Sequence, residues 1–190
     1  MNVLELFSGT ESFSKVAREK GHKTFTIDND PYHNPDLCKS ILDVKIEDIP
    51  FKVDFIWASP PCTEYSRAKT TKRDIEGANK LLLKTIELII KLRPKYWIIE
   101  NPQGLIINQF FMKNLNHCIV TYCQYGDTRM KPTYIFNNFN FKGKCCRNGD
   151  KCHVSAPRGS RTGTQGLKNS VDRSVIPKKL CEAILNDSLR

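Results

Sequence analysis

Three short polar clusters in this sequence carry side chains suited to group transfer: Ser8-Gly9-Thr10-Glu11, Ser59-Pro60-Pro61-Cys62 and Glu100-Asn101-Pro102. Cys62 is a thiol on a rigid Pro-Pro turn, followed closely by Arg67 and Lys69. Neighbouring cations lower a cysteine's pKa and make it nucleophilic, so an activated Cys62 is the expectation. Glu100 emerges from the apolar run Tyr96-Trp97-Ile98-Ile99. Carboxyl groups in apolar surroundings hold their protons longer and can then donate them near neutral pH. Gly9 lets the backbone approach a ligand at a strand-to-helix turn. Asp28, about twenty residues on, stands where a carboxylate accepts hydrogen bonds from ribose hydroxyls. Each cluster alone would also suit an ordinary strand-ending turn. Their joint occurrence points to a nucleotide-like cofactor beside a nucleophile.

The clusters must be held by elements, and apolar spacing supplies them. Strands are predicted over Asn2–Leu6, Lys23–Ile27, Val53–Ala58 and Tyr96–Ile99, with later ones at Cys118–Tyr122 and Thr133–Phe136. Helices are predicted over Phe13–Lys20, closed by Gly21, and over Ile75–Leu92, where Ala78, Leu81, Leu82, Ile86, Ile89 and Ile90 recur at helical spacing. A last amphipathic helix, Pro177–Leu189, turns Leu180, Cys181, Ala183 and Ile184 inward. Strand–helix alternation of this kind gives an α/β fold with a largely parallel sheet and helices on both faces. Ligands of such sheets bind beyond the carboxyl ends of the strands, so all three clusters should meet on one rim.

Thirty Lys and Arg against twenty Asp and Glu leave a formal net charge of +10 and a pI near 9.2. Much of that charge is local: Lys142, Lys144, Arg147, Lys151, Arg158, Arg161 and Lys168 face a single acid, Asp150. A cationic patch of this density predicts a nucleic-acid partner rather than a merely solubilising surface. Over Phe141–Asn169 periodic apolar positions vanish, and the stretch reads as a basic excursion outside the core. It holds Cys145, Cys146, Cys152 and His153, a set able to bind zinc, with Cys123 or His117 as a further ligand. The other reading is reduced thiols in a loop ordered by nucleic acid. No apolar run approaches a membrane span, and Met1–Phe7 has none of the regions of a signal peptide. A cytoplasmic or otherwise intracellular protein, without a membrane partner, is expected. Abundant Lys, Asn and Ile suggest an AT-rich genome, that of a virus or an AT-rich microbe.

In their order along the chain, Glu5-Leu6-Phe7-Ser8-Gly9, Ser59-Pro60-Pro61-Cys62 and Glu100-Asn101-Pro102 resemble the motifs of the cytosine-C5 DNA methyltransferases. Tyr125-Gly126 through Thr133-Tyr134-Ile135-Phe136 and the segment Val175–Ile184 extend the resemblance over most of the chain. It implies a Rossmann-like S-adenosylmethionine-dependent methyltransferase sheet with a reduced basic recognition insert. It divides the chain into a catalytic domain over 1–139, a small basic Cys-rich recognition segment over 140–170, and a C-terminal helix over 171–190 that returns to the catalytic domain. Catalytic roles fall by resemblance on Cys62, Glu100 and Arg129, with Lys131 close by as the other basic candidate. Cofactor contacts fall on Phe7, Ser8, Gly9, Thr10, Asp28, Asp43 and Pro60. The implied reaction adds the Cys62 thiolate to cytosine C6, while Glu100 engages N3 and C5 takes the methyl group. Glu11 replaces a small residue and would crowd the cofactor. So small a recognition segment implies a short recognition sequence or a non-duplex substrate. DNA is the implied substrate. RNA, or a catalytically silent nucleic-acid-binding role, is the alternative.

Overall fold

Strand β1 (Asn2–Leu6) is solvent-free from Val3 to Leu6, and the rest of the sheet is laid on either side of it. The computed structural model describes residues 1–154, 167 and 169–189. Within them β1 is followed by α1 (Ser12–Glu19), β2 (Lys23–Asp28), β3 (Leu37–Cys38), β4 (Phe55–Ala58), α2 (Ile75–Leu92) and β5 (Tyr96–Pro102). Then come β6 (His117–Thr121), β7 (Pro132–Asn137), α3 (Ser170–Ser174) and α4 (Lys178–Ser188). The seven strands stand in the order β3-β2-β1-β4-β5-β7-β6. Strands β1 to β5 pair in parallel, whereas β7 is antiparallel to both β5 and β6. Strand β6 therefore points the same way as β5, and its carboxyl end opens on the same rim.

Side chains alternate across the central strands as a pleated sheet requires. Leu4, Leu6, Ile56, Ala58 and Ile99 face α2, where Ala78, Leu82, Leu88 and Ile89 cover them. Val3, Phe55, Trp57 and Ile98 face the other way, toward Phe13, Val16 and Ala17 of α1 and Leu180, Ile184 and Leu185 of α4. Both faces are thus buried, which is why these strands read as continuous apolar runs. Phe13 stacks on Trp57 at 4.5 Å and on Phe55 at 5.0 Å between ring centres. Truncating a side chain in such a setting costs about 3–5 kcal/mol.

The structure departs from the sequence reading in three places. Strand β7 is antiparallel, because the short chain from β6 to β7 holds only a single 3-10 turn and no α-helix to carry a parallel crossover. Strand β3 is two residues long, too short to show any period. The start of the supposed excursion belongs to the core: Phe141 is buried beside α1 and α4. Beyond it the chain runs along the outer edge of β6, where Thr121 N donates to Lys144 O at 3.0 Å. Gly143 lies so close to the Ile119 carbonyl that any side chain would collide with it. Lys142, Lys144, Arg147 and Lys151 are exposed. Arg158, Arg161 and Lys168 lie outside the described residues. Among the described residues no helix is long and apolar enough to cross a membrane.

One polar contact ties β1 to α1. The position before α1, Glu11, makes no side-chain cap. Instead Glu5 reaches across from β1 and accepts from Phe13 N at 3.3 Å and Ser14 N at 2.7 Å. Two of the helix's orphan amides are satisfied in this way. Burial pushes the Glu5 carboxyl up to about 7, even though these donors pull it down. The folded chain therefore keeps a proton that the unfolded chain, with its value of 4.5, has lost. Stability from this group is full below pH 4.5 and falls as pH rises toward about 7. Urea denaturation across that interval should show a loss on the order of 3 kcal/mol. Glu5→Gln should flatten this part of the profile.

Candidate active site

The carboxyl ends of β1, β4 and β5 end at a cavity of about 680 Å³, whose walls include Glu5, Phe7–Thr10, Ser59–Thr63 and Glu100. A smaller hollow of about 50 Å³ shares Phe7 and Pro61 with it and is closed by Ile27, Asp28, Lys39–Ile41 and Leu81. The rim location follows from the topology, since the chain turns to opposite sides after β1 and β4.

Each wall is held by identifiable bonds. After β1 the chain enters left-handed backbone at Phe7 (φ 56) and Gly9 (φ 44). A phenylalanine in that region is strained, and such strain persists only where its surroundings impose it. Here Ser8 N donates to Ile27 O at 3.1 Å, and Gly9 N donates to Asp28 Oδ2 at 2.8 Å. The other Asp28 oxygen accepts from Asp30 N at 2.9 Å. Ser8 is buried, and its Oγ has no hydrogen-bond partner among the described residues.

The Cys62 loop is anchored twice. Asn101 Nδ2 donates to Pro60 O at 2.9 Å, which fastens the Pro-Pro turn to the end of β5. Tyr65 N donates to Cys62 O at 3.1 Å, while the Tyr65 hydroxyl donates to Asn79 Oδ1 of α2 at 2.8 Å. Gly104 passes against the Tyr65 carbonyl, where only a glycine fits.

The electrostatics around Cys62 differ from the sequence reading. Burial pushes the thiol up, and the nearby Glu100 adds to this. Lys131 and Arg173 pull it down, but they do not win. Lys69, one of the cations expected to activate it, is ion-paired with Glu64 instead. Glu100 is buried and accepts from the Tyr122 hydroxyl at 2.9 Å through Oε1. Burial, and then Glu100 itself, lift Tyr122 well above its ordinary range, so it remains a donor. Burial lowers Lys131, opposed by Glu100 and Cys62.

Arg129 and Lys131 divide work that the sequence left open between them. Arg129 is not on the cavity wall; Lys131 is. The Arg129 guanidinium is buried and fully occupied. Nε donates to both Asp127 oxygens, Nη1 to Asp172 O and Arg173 O, and Nη2 to Asp127 and Val175 O. It has no N–H left for a ligand. Its work is to clamp the end of α3 and the residues that follow, where Arg173, Ser174 and Ile176 form one side of the cavity. Lys131 assists by donating to Arg173 O at 2.7 Å, with its ammonium 4.7 Å from the Tyr122 ring centre. Ile176 N closes the seam by donating to Ser12 Oγ at 3.1 Å.

Of the expected cofactor residues, Phe7, Ser8, Gly9, Thr10 and Pro60 line the main cavity, and Asp28 lines the hollow. Asp43 lines neither; it ends an exposed 3-10 turn whose first residue, Ile41, faces the hollow with Ser40. Glu11 does not crowd the cavity, because its carboxylate folds back onto Arg18. Cys145 stands apart from the other expected metal ligands: its Sγ donates to Ile119 O at 2.8 Å. Cys146, Cys152 and His153 gather around Cys123 instead. Sequence reasoning missed Leu81 and the Arg173–Ile176 wall. Leu81 carried only the signal of a helix's apolar face; Arg173 and Ser174 carried none, and Val175-Ile176 only that of the C-terminal helix motif.

Two measurements check this arrangement. Alkylation of Cys62, followed peptide by peptide by mass spectrometry, should inflect above pH 9.0. Glu100→Gln should move the inflection down and Lys131→Met should move it up. Arg129→Ala should cost roughly 3–5 kcal/mol, because it leaves Asp127 charged and unpaired in a half-buried place. Hydrogen exchange should quicken over 172–176 in that variant more than in β1 or β4.

Comparison with known proteins agrees with this geometry. Residues 1–126 match the family model for C-5 cytosine-specific DNA methylase. The chain is 31% identical to the "Probable DNA (cytosine-5)-methyltransferase" of Frog virus 3 (isolate Goorha), over 97% of this chain and 99% of that protein. It is 27% identical to the type II methyltransferase M.FnuDI of Fusobacterium nucleatum, over 56% of this chain but 33% of that enzyme. A solved structure titled "putative DNA modification methyltransferase encoded within prophage" from E. coli shares the fold. Its TM-score is 0.58 at 21% identity, over 72% of this chain and 46% of that one. The chain spans the viral relative almost completely and less than half of the two bacterial ones. By the match over residues 1–126 and the identity to the viral protein, the chain belongs to the C-5 cytosine-specific DNA methylase family.

Proposed function

We propose that this chain methylates C5 of cytosine in DNA through a covalent adduct on Cys62, with Glu100 as the acid that engages the base. The observation that carries this reading is the placement of Cys62, Glu100 and the Ser8-Gly9 turn on one cavity wall. Cytosine C5 is too weakly nucleophilic to take a methyl group unaided. The Cys62 sulfur forms a bond to C6, and Glu100 hydrogen-bonds ring N3 as that nitrogen gains electron density. C5 then carries the electrons that bond the methyl group. After a base takes the C5 proton, the C5–C6 double bond re-forms and the Cys62 thiolate leaves. Tyr122 occupies Glu100 Oε1, which leaves Oε2 for the base. The Lys131 ammonium lowers the cost of the thiolate beside Glu100. The target base must be out of its stack to reach such a site, at a cost of a few kcal/mol.

S-adenosylmethionine, when bound, supplies the electrophilic methyl group. The residues present suit it. Asp28 retains lone pairs for ribose hydroxyls, and Phe7, Ile41 and Leu81 give the hollow apolar walls for an adenine ring. The unpartnered Ser8 Oγ and the Gly9 turn suit the polar end.

The proposed division keeps 1–139 as the catalytic domain and 140–170 as the recognition segment, with 171–190 returning to the catalytic domain. The exposed cations Lys142, Lys144, Arg147 and Lys151, beside the rim on which β6 ends, support a nucleic-acid contact there.

DNA carrying 5-fluorocytosine should trap the protein covalently, because the fluorine cannot leave as a proton. Cys62→Ser should abolish the trap, and Glu100→Gln should slow methylation roughly 100-fold or more. Nucleoside mass spectrometry should find 5-methylcytosine in DNA. Methylation confined to RNA would reassign the substrate, and none in either polymer would leave a silent binding module.

A further inference from the structure

We propose that Cys123, Cys146, Cys152 and His153 form a structural zinc site that fastens the basic segment to the sheet. The four candidate ligand atoms lie within 4.8 Å of one another. Cys123 Sγ stands 3.2 Å from Cys146 Sγ and 3.7 Å from Cys152 Sγ, and His153 Nδ1 stands 3.6 Å from both Cys146 Sγ and Cys152 Sγ. A tetrahedral zinc with Zn–S near 2.3 Å and Zn–N near 2.0–2.1 Å requires sulfurs about 3.8 Å apart and sulfur–nitrogen pairs about 3.6 Å apart. Three of these four separations match a closed tetrahedral site, and the Cys123–Cys146 pair, at 3.2 Å, would open slightly to admit the ion. Three thiolates and an imidazole leave no open position, which is the donor set of a structural rather than a catalytic zinc.

The four ligands come from two stretches of the chain, Cys123 from the connection after β6 and Cys146, Cys152 and His153 from the basic segment. Cys123 sits on the turn after β6, next to the Tyr122 that donates to Glu100. Cys146 N donates to Thr121 Oγ1 at 2.9 Å, and Val154 N donates to Thr128 O at 2.9 Å. The backbone on both sides is therefore already bound to the β6–β7 connection, which a metal would lock. Residues 144–154 otherwise bury little apolar surface: Lys144, Cys145, Arg147, Lys151, Cys152 and Val154 are all exposed. A segment without a core needs another source of order, and three thiols in mutual contact have no other evident use. A bound ion with three thiolates carries net negative charge, which Arg147 and Lys151 would offset.

The test is metal content. Protein purified under reducing conditions, or stripped with chelator and reloaded with zinc, should hold one zinc per chain after dialysis. Cobalt in its place should give the absorption of a tetrahedral thiolate site. Cys152→Ser should lose the metal, whereas Cys145→Ser should keep it. Chelation of the wild-type chain should speed hydrogen exchange over 142–154 and leave β1 and β4 protected, a readout that survives if Cys152→Ser folds poorly. Three results would overturn the site. These are zinc absent after reloading, equal loss in both variants, or a mass lower by two hydrogens that marks a Cys123–Cys146 disulfide.

Discussion

The buried contact between Glu5 and the first turn of α1 is the constraint on which the cavity depends. Strand β1 is central, and α1 must leave it through the tight path Phe7–Glu11, which enters left-handed backbone three times, at Phe7, Gly9 and Glu11, before the helix begins. Nothing in that path caps the helix. The carboxyl of Glu5, the last residue but one of the strand, does so instead, across the sheet surface. A shift of α1 along the sheet would unpair those amides and expose Phe13, so the cap and the aromatic stack with Trp57 hold the same register. The Ser8-Gly9 turn inherits its position from both. Burial of an ionisable group has a cost, visible in the displaced carboxyl of Glu5. It is borne at the wall of the active site.

The second organising feature is the division between two neighbouring cations. Arg129 spends all five of its donors on Asp127 and on carbonyls of the C-terminal segment. Lys131 bonds the same segment but keeps its ammonium on the cavity side, under the influence of Cys62 and Glu100. A planar fork serves to bind several carbonyls at once, and a compact point charge serves to balance an anion in a tight space. The C-terminal segment is thereby made part of the site, although it lies more than forty positions from the residues that hold it. In the resting protein the thiol is raised rather than activated. Lys131 and Arg173 compensate for part of the burial penalty, but not all of it.

Much of this was legible in the residues themselves. Strands β1, β2, β4 and β5 and helices α2 and α4 stand within a few positions of where apolar period placed them, because burial on one or both faces writes itself directly into composition. Cys62, Glu100, Phe7, Ser8, Gly9 and Asp28 were findable because each lies at or just beyond the carboxyl end of a strand, and those ends in a parallel sheet share a rim. The sequence by itself thus determined the strand–helix layering, the rim on which the cavity opens and most of the polar side chains that line it.

Tertiary structure decided what local spacing cannot express. Cys145 and Cys146 are adjacent in sequence, but consecutive side chains on an extended edge point to opposite sides. One therefore turns toward the Ile119 carbonyl and the other toward Cys123. Asp43 and Ile41 share one short turn, and only the turn's orientation sends Ile41 to the hollow and Asp43 to solvent. The thiol's environment was misjudged from Arg67 and Lys69, because nearness along the chain does not fix which cation is already paired. Which of Arg129 and Lys131 meets the cavity depends on a partner segment that arrives from the far end of the chain. Such facts depend on contacts between residues distant in sequence, and only the folded chain brings those residues together.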